Sequence, residues 1–192
     1  MRVVVVGGGS WGSAFSSLLA DLGHEVTLAC RDSEQARAIA ETGRNPRYVP
    51  EADLREVTAT SVADAPVAEA ELVCVAVPSR VFRTVVEALP GSSPVLSLAK
   101  GLDPASGHRL SEVVQRRPVA VLSGPNHAEE IARGLPATTV IASEDEALAV
   151  ELQHALMSPR FRVYVNTDLV GVEICAAAKN VMALAAGGVD GF

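Results

Sequence analysis

The sequence predicts an α/β fold, a mostly parallel sheet with helices on both faces, and three observations carry that expectation. Residues 3–6 are four consecutive valines, a β-branched run that suits a strand buried on both faces of a parallel sheet. Short apolar runs then alternate with helical periodicities along the chain, as in repeated βα units. Ala and Val dominate the apolar residues and aromatics are few, a composition that suits thin helix–sheet layers.

Taken in order, the first strand leads into Gly7, Gly9 and Gly12, which fit G-x-G-x-x-G. Trp11, Phe15, Leu18, Leu19 and Leu22 follow at spacings of three and four, one face of a helix. Strand, glycines and helix form the context in which this motif binds a dinucleotide. Gly7 allows the tight turn, Gly9 lets the backbone approach a pyrophosphate, and Gly12 lets helix and strand pack closely. The helix N-terminus offers free N–H groups and a positive dipole end to the phosphates. A plain strand-to-helix turn is the competing structural explanation.

Gly23 stops the first helix, and residues 26–30 form the second strand. An acidic residue at that strand's end takes ribose hydroxyls, whereas a cation meets a 2′-phosphate. Here Arg31 holds the position, and Asp32 caps the next helix with Gln35 three residues on, as in a capping box. NADP(H) is therefore favoured, with NAD(H) as the alternative; an ordinary surface arginine is the plain reading of Arg31. Residues 33–42 read as a helix and 43–50 as a loop punctuated by two prolines. Arg47 and Tyr48 in that loop either approach the adenosine end of a cofactor or form a rigid surface turn.

Residues 57–60 form a third strand and 63–70 a weak helix. A buried strand over 72–77 ends in Pro78-Ser79 and precedes a helix over 81–89. The strand 95–99 ends in Lys100-Gly101, where a lysine either binds a phosphate or carbonyl or is simply exposed. A helix over 110–116 and a strand over 119–122 lead into Ser123-Gly124-Pro125-Asn126-His127-Ala128. Gly124 lets a ligand approach the backbone, and Asn126 supplies both donor and acceptor. His127 opens a helix and has no evident carboxylate or cysteine partner in the sequence, so structure rather than chemistry is the favoured role. The strand 138–142, the helix 147–157 and the strand 161–165 follow.

From residue 167 the pattern changes to a long Ala-rich helix, apolar nearly all round, which should therefore be buried. Lys179 lies in its middle. A buried lysine is costly unless paired or functional, and burial suits it to proton transfer; a snorkelling lysine is the alternative.

The net charge of −7 argues against nucleic acid or an anionic membrane as partner. Cys30, Cys74 and Cys175 are odd in number and set among apolar residues. They read as reduced core residues of a cytoplasmic protein. No signal peptide and no membrane-length apolar run is evident, and no metal site is expected.

Several motifs together point one way. GGGSWGSAF, NPRYVP, VAVPS, SLAKGLD, SGPNHAEEIARGLPATTV and GVEICAAAKNVMALAAGGVDG run the length of the chain, and the last three in this order are specific. The chain resembles the bacterial-type NAD(P)-dependent glycerol-3-phosphate dehydrogenases. The resemblance implies a Rossmann-type cofactor domain over residues 1–166, followed over 167–192 by the first helix of an all-helical substrate domain. It implies hydride transfer between NAD(P)H and dihydroxyacetone phosphate to give sn-glycerol 3-phosphate, a glycerophospholipid precursor. By similarity, Ser10, Trp11, Arg31, Tyr48 and Ala128 would contact the cofactor, and Lys100 both cofactor and substrate. Gly124 and Asn126 would line the substrate site, Lys179 would transfer the proton, and Asn180 would follow it in that site. Many family members carry Ser or Thr where this chain has Asn126, and an amide still hydrogen-bonds there.

The family's substrate-clamping Asp and its Ser-Arg-Asn motif find no match before Phe192. A cofactor-binding fragment with little activity alone is therefore expected, with a homodimer as the assembly. The rival readings are a ketopantoate reductase or 6-phosphogluconate-type dehydrogenase, and a non-catalytic NAD(P)-binding module that senses redox state.

Overall fold

A computed structural model describes residues 1–191, apart from the side chains of Asn180 and Asp190. One eight-stranded sheet organises the chain. Its strands are β1 (Arg2–Val6), β2 (Glu25–Cys30), β3 (Val57–Ser61), β4 (Leu72–Val75), β5 (Val95–Ser97), β6 (Val119–Ser123), β7 (Ala137–Ala142) and β8 (Phe161–Asn166). They lie in the order β3-β2-β1-β4-β5-β6-β7-β8, and every neighbouring pair is parallel except β6 with β7. The order reverses between β1 and β4. Loops at the carboxyl ends of those two strands therefore splay apart, which is where open α/β sheets bind ligands.

The valine run behaves as a doubly buried strand. Alternate side chains point to opposite faces. Val3 and Val5 join a cluster with Phe15 and Leu19 of α1 (Ser10–Asp21) and Ile39 of α2 (Ser33–Thr42). Val4 and Val6 join a second cluster with Phe82 and Val86 of α3 (Ser79–Ala88) and with Leu110 and Val113 of α4 (Leu110–Val113). Each large apolar side chain taken fully out of water contributes about 1.5–3 kcal/mol, so these two layers stabilise the β1–β4 centre of the sheet from both faces. Beyond them come α5 (Ala128–Ala132), α6 (Glu146–Leu156) and α7 (Leu169–Asp190).

Several sequence expectations are corrected. The weak helix over 63–70 is only a 3₁₀ turn, Val67–Glu69. The helix over 110–116 is one turn. Its chain leaves at Val114, and Arg117 instead spends its guanidinium on the carbonyls of Leu89, Pro90 and Gly91. Cys175 is exposed, unlike the buried Cys30 and Cys74. The last helix is not buried over its length. Leu169, Glu173 and Ala176 are covered, but Val181, Met182, Leu184 and Val189 are 66–78% exposed. The start of α7 packs on the sheet, with Leu169 against Val121 and Ala142.

Candidate active site

The loop after β1 is shaped by contacts that only glycine permits. Gly7 has φ +121°, and a Cβ there would lie 2.4 Å from the Ala76 carbonyl at the end of β4. At Gly12 a Cβ would lie 1.8 Å from the Gly7 carbonyl. At Gly8, which the motif itself leaves unspecified, it would strike the Cys30 sulfur at 2.5 Å. Gly9 is the exception, with no atom within 4 Å of its Cβ position. The fold thus uses three of these glycines for its own packing and leaves open space over the fourth. Gly9 is also the N-cap of α1 and gives no side-chain cap, so the first N–H groups of α1 face that space. Ser10 and Trp11 begin the helix, half-buried beside it. An open cradle over uncapped N–H groups fits a dinucleotide pyrophosphate.

The floor of the loop is tied down by two amides. Gln35 Nε2 and Asn45 Nδ2 both donate to the Gly8 carbonyl, at 2.7 and 3.0 Å. Asn45 also donates to Ser13 Oγ, and its Oδ1 accepts from Gln35 Nε2 and from the Arg47 and Tyr48 amides. Asn45 is fully buried, so one side chain locks the 43–50 loop to the glycine loop. The capping-box expectation is half right. Asp32 caps α2 by accepting from Glu34 and Gln35 amides, but the Gln35 side chain turns inward to Gly8.

At the end of β2, Arg47 Nη1 lies 2.6 Å from Asp32 Oδ2. The cap hydrogen bonds, together with Arg47, hold the Asp32 carboxyl below its usual range. Asp32 is thus already engaged, while Arg31 and Tyr48 are exposed at the same edge. Burial, and then the Asp32 charge, push the Cys30 thiol up to about 11, so the sulfur beneath Gly8 stays protonated.

The second half of the site gathers at the carboxyl ends of β5 and β6. Lys100 Nζ donates to the Gly124 carbonyl at 3.2 Å. Burial, followed by the positive charge and a side-chain hydrogen-bond contact of Lys179, lowers the Lys100 pKa. Lys179 comes from α7, which packs on β6 through its first turns. The chain has only these two lysines against fourteen arginines, and they meet. Two amines competing for one place favour an anion or an electron-rich oxygen between them. Asn126 adds a buried Oδ1 without a hydrogen-bond partner among the described residues. Gly124 has a packing reason of its own, since a Cβ would lie 2.6 Å from the Thr138 carbonyl. Ala128 is buried at the start of α5 and His127 is exposed as its N-cap.

The structure thus joins Gly7, Gly9, Ser10, Trp11 and Gly12 in one cradle, sets Arg31 and Tyr48 at its outer edge, and joins Lys100, Gly124 and Lys179 in a second group. The Asn180 side chain lies outside the described residues. Sequence reasoning missed Asn45 and Gly8, and it gave Gln35 only a capping role. An Asn before Pro46 in a loop flanked by Gly43 was the available signal, because Asn side chains organise turns by bonding nearby amides.

Residues 2–149 match a family model described as the N-terminus of NAD-dependent glycerol-3-phosphate dehydrogenase. A glycerol-3-phosphate dehydrogenase [NAD(P)+] of Nocardia farcinica is 46% identical over 97% of this chain and 60% of its own length. One from Moorella thermoacetica is 44% identical over 99% of this chain and 59% of its own. The crystal structure of the glycerol-3-phosphate dehydrogenase from Coxiella burnetii superposes with a TM-score of 0.90 at 33% identity, over 99% of this chain and 61% of that one. The chain therefore spans about three-fifths of the length of the relatives it matches.

Proposed function

The chain belongs to the NAD-dependent glycerol-3-phosphate dehydrogenase family, and on that premise we propose that it serves the reversible reduction of dihydroxyacetone phosphate to sn-glycerol 3-phosphate. In this reading residues 1–166 are the cofactor domain and residues 167–192 the first helix of the substrate domain. The observation that carries it is the meeting of the chain's two lysines beside Gly124, at the carboxyl edge of the sheet.

When bound, the dinucleotide supplies the hydride. Gly9 and the uncapped start of α1 hold its diphosphate, with Ser10 and Trp11 beside it. Arg31 meets the 2′-phosphate of NADP(H), because Asp32 is committed to its cap and to Arg47 and is not free to take ribose hydroxyls. NADP(H) is therefore the preferred form, and Tyr48 and Ala128 complete the cofactor contacts. On the substrate side, Lys179 donates its proton to the oxygen that gains negative charge at the reduced carbon. Lys100, oriented by the Gly124 carbonyl, places and polarises the same substrate. Asn126, its Oδ1 without a partner among the described residues, and Asn180 complete the substrate side.

The test joins this chain to the C-terminal portion of a relative and follows oxidation of NADPH and NADH with three substrates. Dihydroxyacetone phosphate is expected to be reduced; ketopantoate is not, and 6-phosphogluconate is not oxidised in the reverse assay. Turnover of either rival substrate without turnover of dihydroxyacetone phosphate overturns the assignment.

A further inference from the structure

Glu173 lies on α7 six residues before Lys179, and its carboxylate is almost entirely buried. Oε1 accepts the Ser111 amide at 2.9 Å. Oε2 accepts Arg109 Nη1 at 3.0 Å and the Ser111 hydroxyl. A carboxylate so enclosed is stable only while those donors stay in place. Both donors stand at the end of the segment that begins with Lys100. After Lys100-Gly101 the chain folds back on itself, with Leu102 bridged to Arg109 and Asp103 bonded to His108. Asp103, 3% exposed, pins this hairpin to α3 through Arg83 Nη2 at 2.8 Å, and Ser106 within the hairpin donates to the same carboxylate. A closed circuit results: Lys100, hairpin, Arg109 and Ser111, Glu173, then Lys179 and back to Lys100.

On α7 the covered residues Leu169, Glu173 and Ala176 recur at spacings of four and three, and Lys179 lies three residues further along the same stripe. Beyond it, residues 181–189 are exposed. Leu169 packs with Val121 and Ala142 through apolar contacts that carry no direction. The directional bonds of Glu173 are what fix the rotation of the helix.

We propose that Glu173 is a positioning residue, which by gripping Arg109 and Ser111 sets the rotation of α7 so that Lys179 stands against Lys100. This deepens the function proposed above and rests on it for its meaning, but not for its test. The two-lysine composition makes that test direct. With 13C at the ε-carbons of lysine, the 192-residue chain gives two lysine signals, each followed through a pH titration. The Lys100 midpoint is expected to move to higher pH in Glu173→Ala and in Glu173→Gln, because Lys179 no longer stands against it. It is expected to move to higher pH in Lys179→Met as well. The double variant Glu173→Gln with Lys179→Met is expected to match Lys179→Met alone, since Glu173 acts through Lys179.

An unmoved Lys100 midpoint in the Glu173 variants overturns the proposal, and so does an additive shift in the double variant. Should Glu173→Ala not fold, Glu173→Gln keeps the side-chain volume and an acceptor for Ser111, and Arg109→Gln breaks the same ion pair from the other side. The titration uses no substrate. A positioned lysine pair in a chain that fails on dihydroxyacetone phosphate would count against the function and not against Glu173.

Discussion

Around Gly8 every feature of the chain converges on one fixed shape: two buried amides hold a single carbonyl, a cysteine fills the space beneath it, and the Gly7 and Gly12 positions have no room for a methyl group. At the other end α7 is held by a stripe of three covered residues, and its last turns stand in solvent. The first region is fixed by close packing and by two buried amides, from Gln35 on α2 and Asn45 just after it. The second places a lysine on a helix whose orientation depends on a single buried carboxylate. A binding cradle made by close packing tolerates almost no substitution. A site assembled from a helix and two loops depends instead on a few directional bonds.

That contrast can be broken most sharply at the glycines. Gly12→Ala pushes a methyl into the Gly7 carbonyl and is expected to cost about 3 kcal/mol in urea unfolding. Gly9→Ala meets only open space and is expected to stay within about 1 kcal/mol of the parent. Its NADPH affinity, read by fluorescence titration, should nevertheless fall by about tenfold or more, a loss of at least ~1.4 kcal/mol. If Gly9→Ala binds NADPH normally, the open cradle is not the diphosphate site.

A smaller effect is expected at Asn45. Asn45→Ala strands the Ser13 hydroxyl and two loop amides, for a cost of about 2 kcal/mol in the same unfolding assay. Asn45→Asp keeps the acceptor oxygen and loses both donors, so its cofactor affinity should drop more than that of a surface Asn. Smaller again, Arg31→Ala should erase a preference for NADPH over NADH of about 1–3 kcal/mol while leaving NADH affinity unchanged. Equal losses for both cofactors would remove Arg31 from 2′-phosphate recognition.

The smallest effect is a pH dependence at the hairpin between the two regions. The Arg83 guanidinium, and then Ser106, hold the Asp103 carboxyl at about 2, below the value it takes when unfolded. The stability it contributes is therefore full above the ordinary carboxylate range and is lost as pH falls through that range toward about 2. Acid unfolding of Asp103→Asn should lack that component, with no change near neutral pH in the shape of the curve.

The cradle was legible because its signals are local. Four valines, three spaced glycines and a helical face lie within some twenty residues, and the structure places them as that pattern requires. The rest depended on partners distant in sequence. Gln35 reads as a capping residue because the three-residue spacing is visible, whereas its true partner, the Gly8 carbonyl, lies twenty-seven positions away. Glu173 sat inside a quoted motif without a role because Arg109 and Ser111 are more than sixty residues upstream. The antiparallel β7 carries the same β-branched pattern as its parallel neighbours, so direction could not be read from it. For α7, apolar residues all round argued for burial, and composition alone does not reveal how much of the helix meets this sheet.

Lys179 bears the heaviest assignment. In the chain joined to a relative's C-terminal portion, Lys179→Ala should lower dihydroxyacetone phosphate turnover by about 10²–10⁴-fold, the range for a positioned proton donor, with NADPH affinity unchanged. Turnover within a factor of two of the parent would contradict the role of the lysine pair in the reaction.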